Sequence, residues 1–254
     1  MRVVAIVQAR MSSSRLPGKV LDTLAGKPVL HHIHERLSGC RLIDEIVIAT
    51  SQEASDDPIS KFCQNRRISC FRGSLDDVLD RFYQAGVHYN ADVIVRITGD
   101  CPLIDPVIVD AVVAGFLGGQ YDFFGLGGEF PDGLDCTVFS LKAIEAAWRE
   151  AKLPSEREHV GPYIENNPDI FKNGVLNLYS GLSIMRWTLD EPADLALLKI
   201  IFEQLYREGR VFYTHEILDF VKENPQLSEI NAGIVRNEGY LKSLLADEES
   251  GVET

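Results

Sequence analysis

The apolar positions of this chain fall into short runs and helical stripes that alternate with each other. Val3–Val7 is an unbroken apolar run, short enough for a buried strand. From Pro28 to Leu37, Val29, Leu30, Ile33 and Leu37 share one helical face, and Pro28 suits a first turn. Glu45–Thr50 reads as the next strand, a helix opens at Asp57 or Pro58 and runs to about Asn65, and Ile68–Phe71 is a third strand. Leu75–Tyr89 is helical with Leu75, Val78, Leu79 and Phe82 inward, Asp92–Thr98 is a fourth strand, and another helix starts after Pro106. Strands separated by single helices predict a parallel sheet with right-handed crossovers. Such sheets bind ligands at the carboxyl ends of their strands.

The second half is less regular. Leu134–Phe139 reads as a strand, Leu141–Lys152 as a helix with Ile144, Ala147 and Trp148 inward, and Glu156–Asn166 as helical. Val175–Tyr179 and Ser183–Thr188 read as a hairpin around Gly181. Ala193–Glu208 is a helix, and Thr214 is placed to cap another that ends near Glu223. A single α/β domain is expected over 1–246, followed by an acidic, frayed tail over 247–254.

Composition narrows the function. A net charge of −13 excludes the broad basic face of a nucleic-acid binder. No apolar run is long enough for a bilayer, so a cytoplasmic protein with no membrane partner is expected. The five cysteines are scattered without a CxxC pair, which argues against a zinc site.

Against this acidity, "VQARMSSSRLPGKVL" (7–21) holds Arg10, Arg15 and Lys19, three serines and no acid. Hydroxyls, backbone N–H groups and cations in a loop after a strand suit a phosphate. Gly18 alone gives neither a P-loop nor a dinucleotide turn. "RITGDCPLIDP" (96–106) puts Asp100 just past a strand, where it can hold Mg²⁺ beside a triphosphate or merely cap a turn. "MRWTLDEPADLALL" (185–198) places Asp190 similarly, as a second metal carboxylate or a helix cap. "SEREHVGPYI" (155–164) carries Arg157, Glu158 and His159, candidates for a carboxylate or hydroxyl-rich substrate, although Ser155 with Glu158 also spells a capping box. "FPDGLD" (130–135) offers Asp132 and Asp135 on a Gly-containing turn. His31 and His34 are i, i+3 neighbours beside an apolar face, with no carboxylate ligand evident.

Taken together, "VQARMSSSRLPGKVL", "GKPVL", "IVIATS", "RITGDCPLIDP", "FPDGLD", "REHV" and "LDEPADL" resemble the spore-coat polysaccharide protein F group. That group is similar to the acylneuraminate and 3-deoxy-manno-octulosonate cytidylyltransferases. The resemblance runs in order from about residue 3 to residue 200. It implies a Rossmann-like three-layer sandwich of the nucleotide-diphospho-sugar transferase type, a homodimer, Mg²⁺ as cofactor, and CTP and an acidic sugar as substrates. By position it implies that Arg10, Ser13, Arg15 and Lys19 hold the CTP phosphates, within a nucleotide site that includes Gln8 and Ala9. Arg72 and Arg81 match positions near the nucleotide, Asp100 and Asp190 match the metal carboxylates, and Glu158 and His159 lie on the sugar side with Asp132 and Asp135. Cys136-Thr137 departs from the valine–glutamate usual in the spore-coat group.

The activity so implied is nucleotidyl transfer, with Arg15, Lys19, Asp100 and Asp190 as its catalytic residues. Two rivals stand beside it. A glycosyltransferase on the same sheet would ordinarily show an Asp-x-Asp motif, which the chain lacks. A non-catalytic polysaccharide-assembly partner would have no need of this set of charges.

Overall fold

The computed structural model describes residues 1–250. Its central sheet has seven strands: β1 (Val3–Gln8), β4 (Glu45–Ser51), β5 (Ser69–Gly73), β6 (Val93–Thr98), β7 (Phe123–Gly128), β8 (Thr137–Ser140) and β9 (Asn173–Tyr179). A short hairpin of β2 (Thr23–Leu24) and β3 (Lys27–Pro28) stands apart. The sheet order is β5-β4-β1-β6-β8-β7-β9, and β8 alone runs against its neighbours.

Alternation along β1 builds the layers. Val3, Ala5 and Val7 face one core, Val4 and Ile6 the other. The first core takes the apolar faces of α1 (Val29–Leu37), α2 (Asp57–Arg66), α4 (Pro106–Gly119), α8 (Pro192–Leu205) and α9 (Thr214–Glu223). The second takes α3 (Val78–His88), α5 (Leu141–Glu150) and the short α7 (Pro162–Glu165), which follows α6 (Pro154–His159). The result is the expected α/β three-layer sandwich with a mostly parallel sheet. The order of strands reverses between β1 and β6, and ligands favour the crevice at such a point.

The first half matches the sequence pattern to within a few residues, and the second half corrects it. No hairpin forms around Gly181: β9 pairs parallel with β7, and the strand-type pairing of Ser183–Thr188 is one isolated β-bridge, Arg186 to Asp132. The strand expected at Leu134 begins at Thr137, because Pro131 to Asp135 turn back toward that bridge. Glu156–Asn166 is broken into α6 and α7 at Val160, whose φ is 71°. Ser155 and Glu158 form no capping box. The Glu156 carboxylate accepts from the Lys152 and Leu153 N–H groups instead. Thr214 is not the cap of α9. Tyr213 holds that position, and both the N–H and hydroxyl of Thr214 donate to Asp105. The tail corrects too: α10 (Glu238–Ser250) runs through 247–250, and Asp247 accepts from the Ser155 N–H at 2.8 Å. The rest of the expected tail, 251–254, lies outside the described residues. Among the described residues no helix is long and apolar enough to cross a membrane.

Candidate active site

Two turns set the geometry. Gly99, just past β6, donates its N–H to Gln8 O at 2.8 Å, and a Cβ there would sit 2.8 Å from that same oxygen. Only glycine lets the ends of β1 and β6 approach this closely, and Asp100 follows directly. The Asp100 carbonyl then accepts from the Leu189 N–H at 2.8 Å, which ties the Asp190 segment to the same spot. The opening loop is fixed from below by Asp56, fully buried between β4 and α2. Its carboxylate accepts from the Met11 N–H at 2.7 Å and from the hydroxyl of Ser51.

A cleft with two lobes opens over these strand ends. The first, about 420 Å³, is walled by the opening loop, Arg81 and part of α10. The second, about 510 Å³, reaches toward Asp132, Asp135, His159 and Arg186. Gln8, Arg10, Arg15, Asp100, Glu158 and Asp190 line both lobes.

The centre is a charge network. Lys19 Nζ lies 2.8 Å from Asp100 Oδ2 and 2.7 Å from Asp190 Oδ1. The two carboxylates, 90 residues apart in sequence, therefore meet around one atom. Asp190 also receives Arg15 at 3.0 Å and Arg186 at 2.8 Å. Arg15 reaches on to Glu191 at 3.4 Å and to Glu238 of α10 at 2.6 Å. Asp190 is not the cap of α8. Glu191 is, and the Asp194 carboxylate accepts from the N–H groups of Asp190 and Glu191.

Burial alone would raise the Asp100 carboxyl, but the Lys19 ammonium and hydrogen bonds from Lys19 and Thr98 hold it at about 2. Burial would lower Lys19, and the two carboxylates more than reverse this. The site thus keeps both signs of charge at neutral pH. Because the folded value of Asp100 lies below its ordinary 3.8, its stabilising contribution is complete above about pH 4 and is lost as pH falls toward 2. Lys19 is raised above 10.5, so its contribution persists until pH rises past that value. Lys19→Met is expected to flatten the acid limb of stability between about pH 4 and pH 2 in urea titrations. An acid limb unchanged in slope would show that Lys19 does not set Asp100.

The other candidates divide. Gln8 lines both lobes and its buried Oε1 has no partner. Ala9 and Ser13 line the first lobe, although the Ser13 hydroxyl also accepts from the Leu16 N–H at 3.3 Å. Arg10 is half exposed, 3.8 Å from Glu158. Arg81 is buried in the wall, where it donates to Ser74 O and Leu75 O while its Nε has no partner. Burial first, then the nearby Arg10, brings it down to about 10. Arg72 does not line the cleft. Its guanidinium is taken by Ser51 O, Glu53 O and Asp57. Glu158 and His159 both meet the Ser243 hydroxyl of α10, at 2.8 and 3.0 Å. Asp132 and Asp135 are held by Arg186 at 2.7 Å and Arg236 at 3.3 Å. Burial and Asp135 push the Asp132 carboxyl up to about 6, against the pull of Arg236 and Arg186, so it is ionised at neutral pH. Gly133 between them has a φ of 101° and would place a Cβ 2.6 Å from the Thr188 nitrogen, so the turn admits only glycine.

Sequence reasoning passed over Arg186, which binds Asp132, Asp190 and Asp194 at once, although its i, i+4 spacing to Asp190 was a usable signal. Arg96, Arg236 and Glu238 were passed over as well. Arg96 is legible as the one charge inside an apolar strand, whereas Arg236 and Glu238 lie in a segment with no periodic signal. His31, the first of the histidine pair, lies against Arg66 at 3.1 Å. Among the described residues no group of three or more His, Cys, Asp or Glu stands ready to hold a metal.

Comparison with known proteins agrees with this picture. Residues 4–224 match the family model described as cytidylyltransferase. The structure of a cytidylyltransferase from Leptospira borgpetersenii serovar Hardjo-bovis superposes with a TM-score of 0.86 at 34% identity, covering 93% of this chain and all of that one. The spore coat polysaccharide biosynthesis protein SpsF of Bacillus subtilis is 29% identical over 237 residues, 88% of this chain and 95% of the relative. A 3-deoxy-manno-octulosonate cytidylyltransferase of Geobacter metallireducens is 33% identical over 114 residues, 45% of this chain and 44% of its own.

Proposed function

Since the chain belongs to the cytidylyltransferase family, we propose that it transfers the cytidylyl group of CTP to an acidic sugar, releasing pyrophosphate, in the making of a surface polysaccharide. An oxygen of the acceptor attacks the α-phosphorus, and the bond from that phosphorus to the bridging oxygen of pyrophosphate breaks. The observation that carries the reading is the meeting of Lys19 with Asp100 and Asp190 beneath a cationic loop. The identity of the acceptor is supported by the likeness to the spore-coat and 3-deoxy-manno-octulosonate proteins.

In this reading the first lobe takes the nucleotide. Its polar walls match a triphosphate, and Arg15 and Lys19 stand where charge grows on the departing pyrophosphate. Fixed cations cost no reorganisation at the moment of transfer, and the carboxylates keep them fixed. The second lobe takes the acceptor, with Glu158, Asp135 and His159 facing its hydroxyls.

The donor set also fits Mg²⁺. Asp100 and Asp190 supply hard oxygen ligands on either side of Lys19 Nζ, and with Lys19 turned toward the substrate phosphates the two carboxylates and those phosphates would make up an ordinary Mg²⁺ site. Bound there, Mg²⁺ would neutralise phosphate charge.

A pyrophosphate-release screen of the four common nucleoside triphosphates against a panel of acidic sugars tests the proposal. Release that requires CTP and an acidic sugar together is expected. Release driven equally by the other three nucleotides, or sugar transfer from a nucleotide-sugar, would defeat it.

A further inference from the structure

The second lobe contains an arginine with no ion-pair or hydrogen-bond partner for its side chain among the described residues. Arg96 lies within β6, two residues before Thr98, and lines this lobe. Its Nε is buried without a hydrogen-bond partner. Among the described residues no carboxylate lies within ion-pair distance of it, although Asp100, Asp135 and Glu165 are near enough to act on its charge. The other lining arginines are engaged: Arg10 with Glu158, Arg15 with Asp190, and Arg186 with Asp132. Arg36, by contrast, is 3% exposed and donates to Ile104 O and Leu103 O.

A second unpartnered group stands beside it. Thr137 of β8 is directly opposite Arg96 in the antiparallel ladder, so the two side chains project from the same face of the sheet. The Thr137 Oγ1 is likewise buried with no partner. An arginine at the lobe wall whose Nε is buried without a partner is costly to the free protein and is matched by an oxyanion entering the lobe.

We propose that Arg96 is the anion anchor of the acceptor lobe, taking an oxyanion, carboxylate or phosphate, of the molecule that receives the cytidylyl group. This rests on the reading that CTP occupies the first lobe. The surrounding carboxylates then read sugar hydroxyls, and Arg96 alone reads charge. The anchor is a specificity residue: it holds the acceptor's acid group.

The test compares wild type, Arg96→Gln and Arg96→Lys. CTP affinity is measured by calorimetry. KM and kcat are measured by pyrophosphate release with three probes: 3-deoxy-manno-octulosonate, its uncharged C1 amide, and glucose 1-phosphate. Wild type is expected to use one of the charged probes and not the amide. The carboxylate and phosphate arms show which oxyanion fits. Arg96→Gln should keep the CTP affinity and raise the acceptor KM on the order of 10–100-fold, as loss of a charge-assisted bidentate contact does. Arg96→Lys should recover part of that loss, and it serves in place of the glutamine variant if that one fails to fold. An acceptor KM unchanged in either variant, or equal use of acid and amide by wild type, overturns the anchor. So does a wild type that binds CTP yet uses neither charged probe, and the nucleotide reading then still stands. A wild type that binds no CTP removes that reading and the anchor with it.

Discussion

Lys19→Met is expected to cut kcat by about 10²–10³-fold, the scale for removing one preorganised donor to developing negative charge. An exposed loop cation would do this at little cost to folding. Lys19 is instead 8% exposed and shared by two carboxylates, so the fold should weaken as well. Asp190 keeps Arg15 and Arg186 after the change, and only Asp100 loses its counter-ion. The stability cost is therefore set at about 1–3 kcal/mol, the price of one unmatched polar group, and not at that of a fully broken buried pair. Urea unfolding measures this separately from turnover. A variant with full kcat and full CTP affinity would mean that the loop does not hold the phosphates.

The second large effect concerns the carboxylates as a pair. Asp100→Asn and Asp190→Asn are each expected to weaken Mg²⁺-dependent CTP binding. The double variant should cost much less than the two together, because the shared ion is lost at the first step. The coupling should reach the upper part of the roughly 0.5–3 kcal/mol seen for interacting sites. The two singles should differ in stability. Asp190 answers three cations and Asp100 only one, so Asp190→Asn should be the more destabilising. Calorimetry with and without Mg²⁺ gives the binding terms. Strictly additive losses, or none, would leave the carboxylates as ion-pair partners of Lys19, Arg15 and Arg186 and nothing more.

Much of this architecture was legible because local pattern and tertiary role coincide in the first half. Val3–Val7 is apolar on both faces since β1 is buried on both, and the loop after it is polar because it borders the cleft. Asp100 and Asp190 were readable as residues just past apolar runs. The second half hides its logic. Phe123–Gly128 gives no clear strand signal, with three glycines in six positions, yet β7 pairs with both β8 and β9. Ser183–Thr188 alternates like a strand, but its alternation serves the bridge to Asp132 and the hydrogen bonds to Asp100. Residues 247–250 read as part of an acidic tail because the helix that contains them, Glu238–Ser250, faces water on most sides. Its contacts with Arg15, Glu158 and Ser155 come from residues far back in the chain, which no local window contains. Arg72 carries a role that no local window shows. A cation placed near a nucleotide by resemblance is used here to bind β4 and α2 to each other.

In the proposed reaction the first lobe holds the triphosphate of CTP over Asp100 and Asp190. The most direct measurement is the position of CTP in crystals grown with the nucleotide and Mg²⁺. The phosphates are expected against residues 10–19, within reach of Arg15 and Lys19. A triphosphate bound away from that loop, with Lys19 still clasped between the two carboxylates, would contradict it.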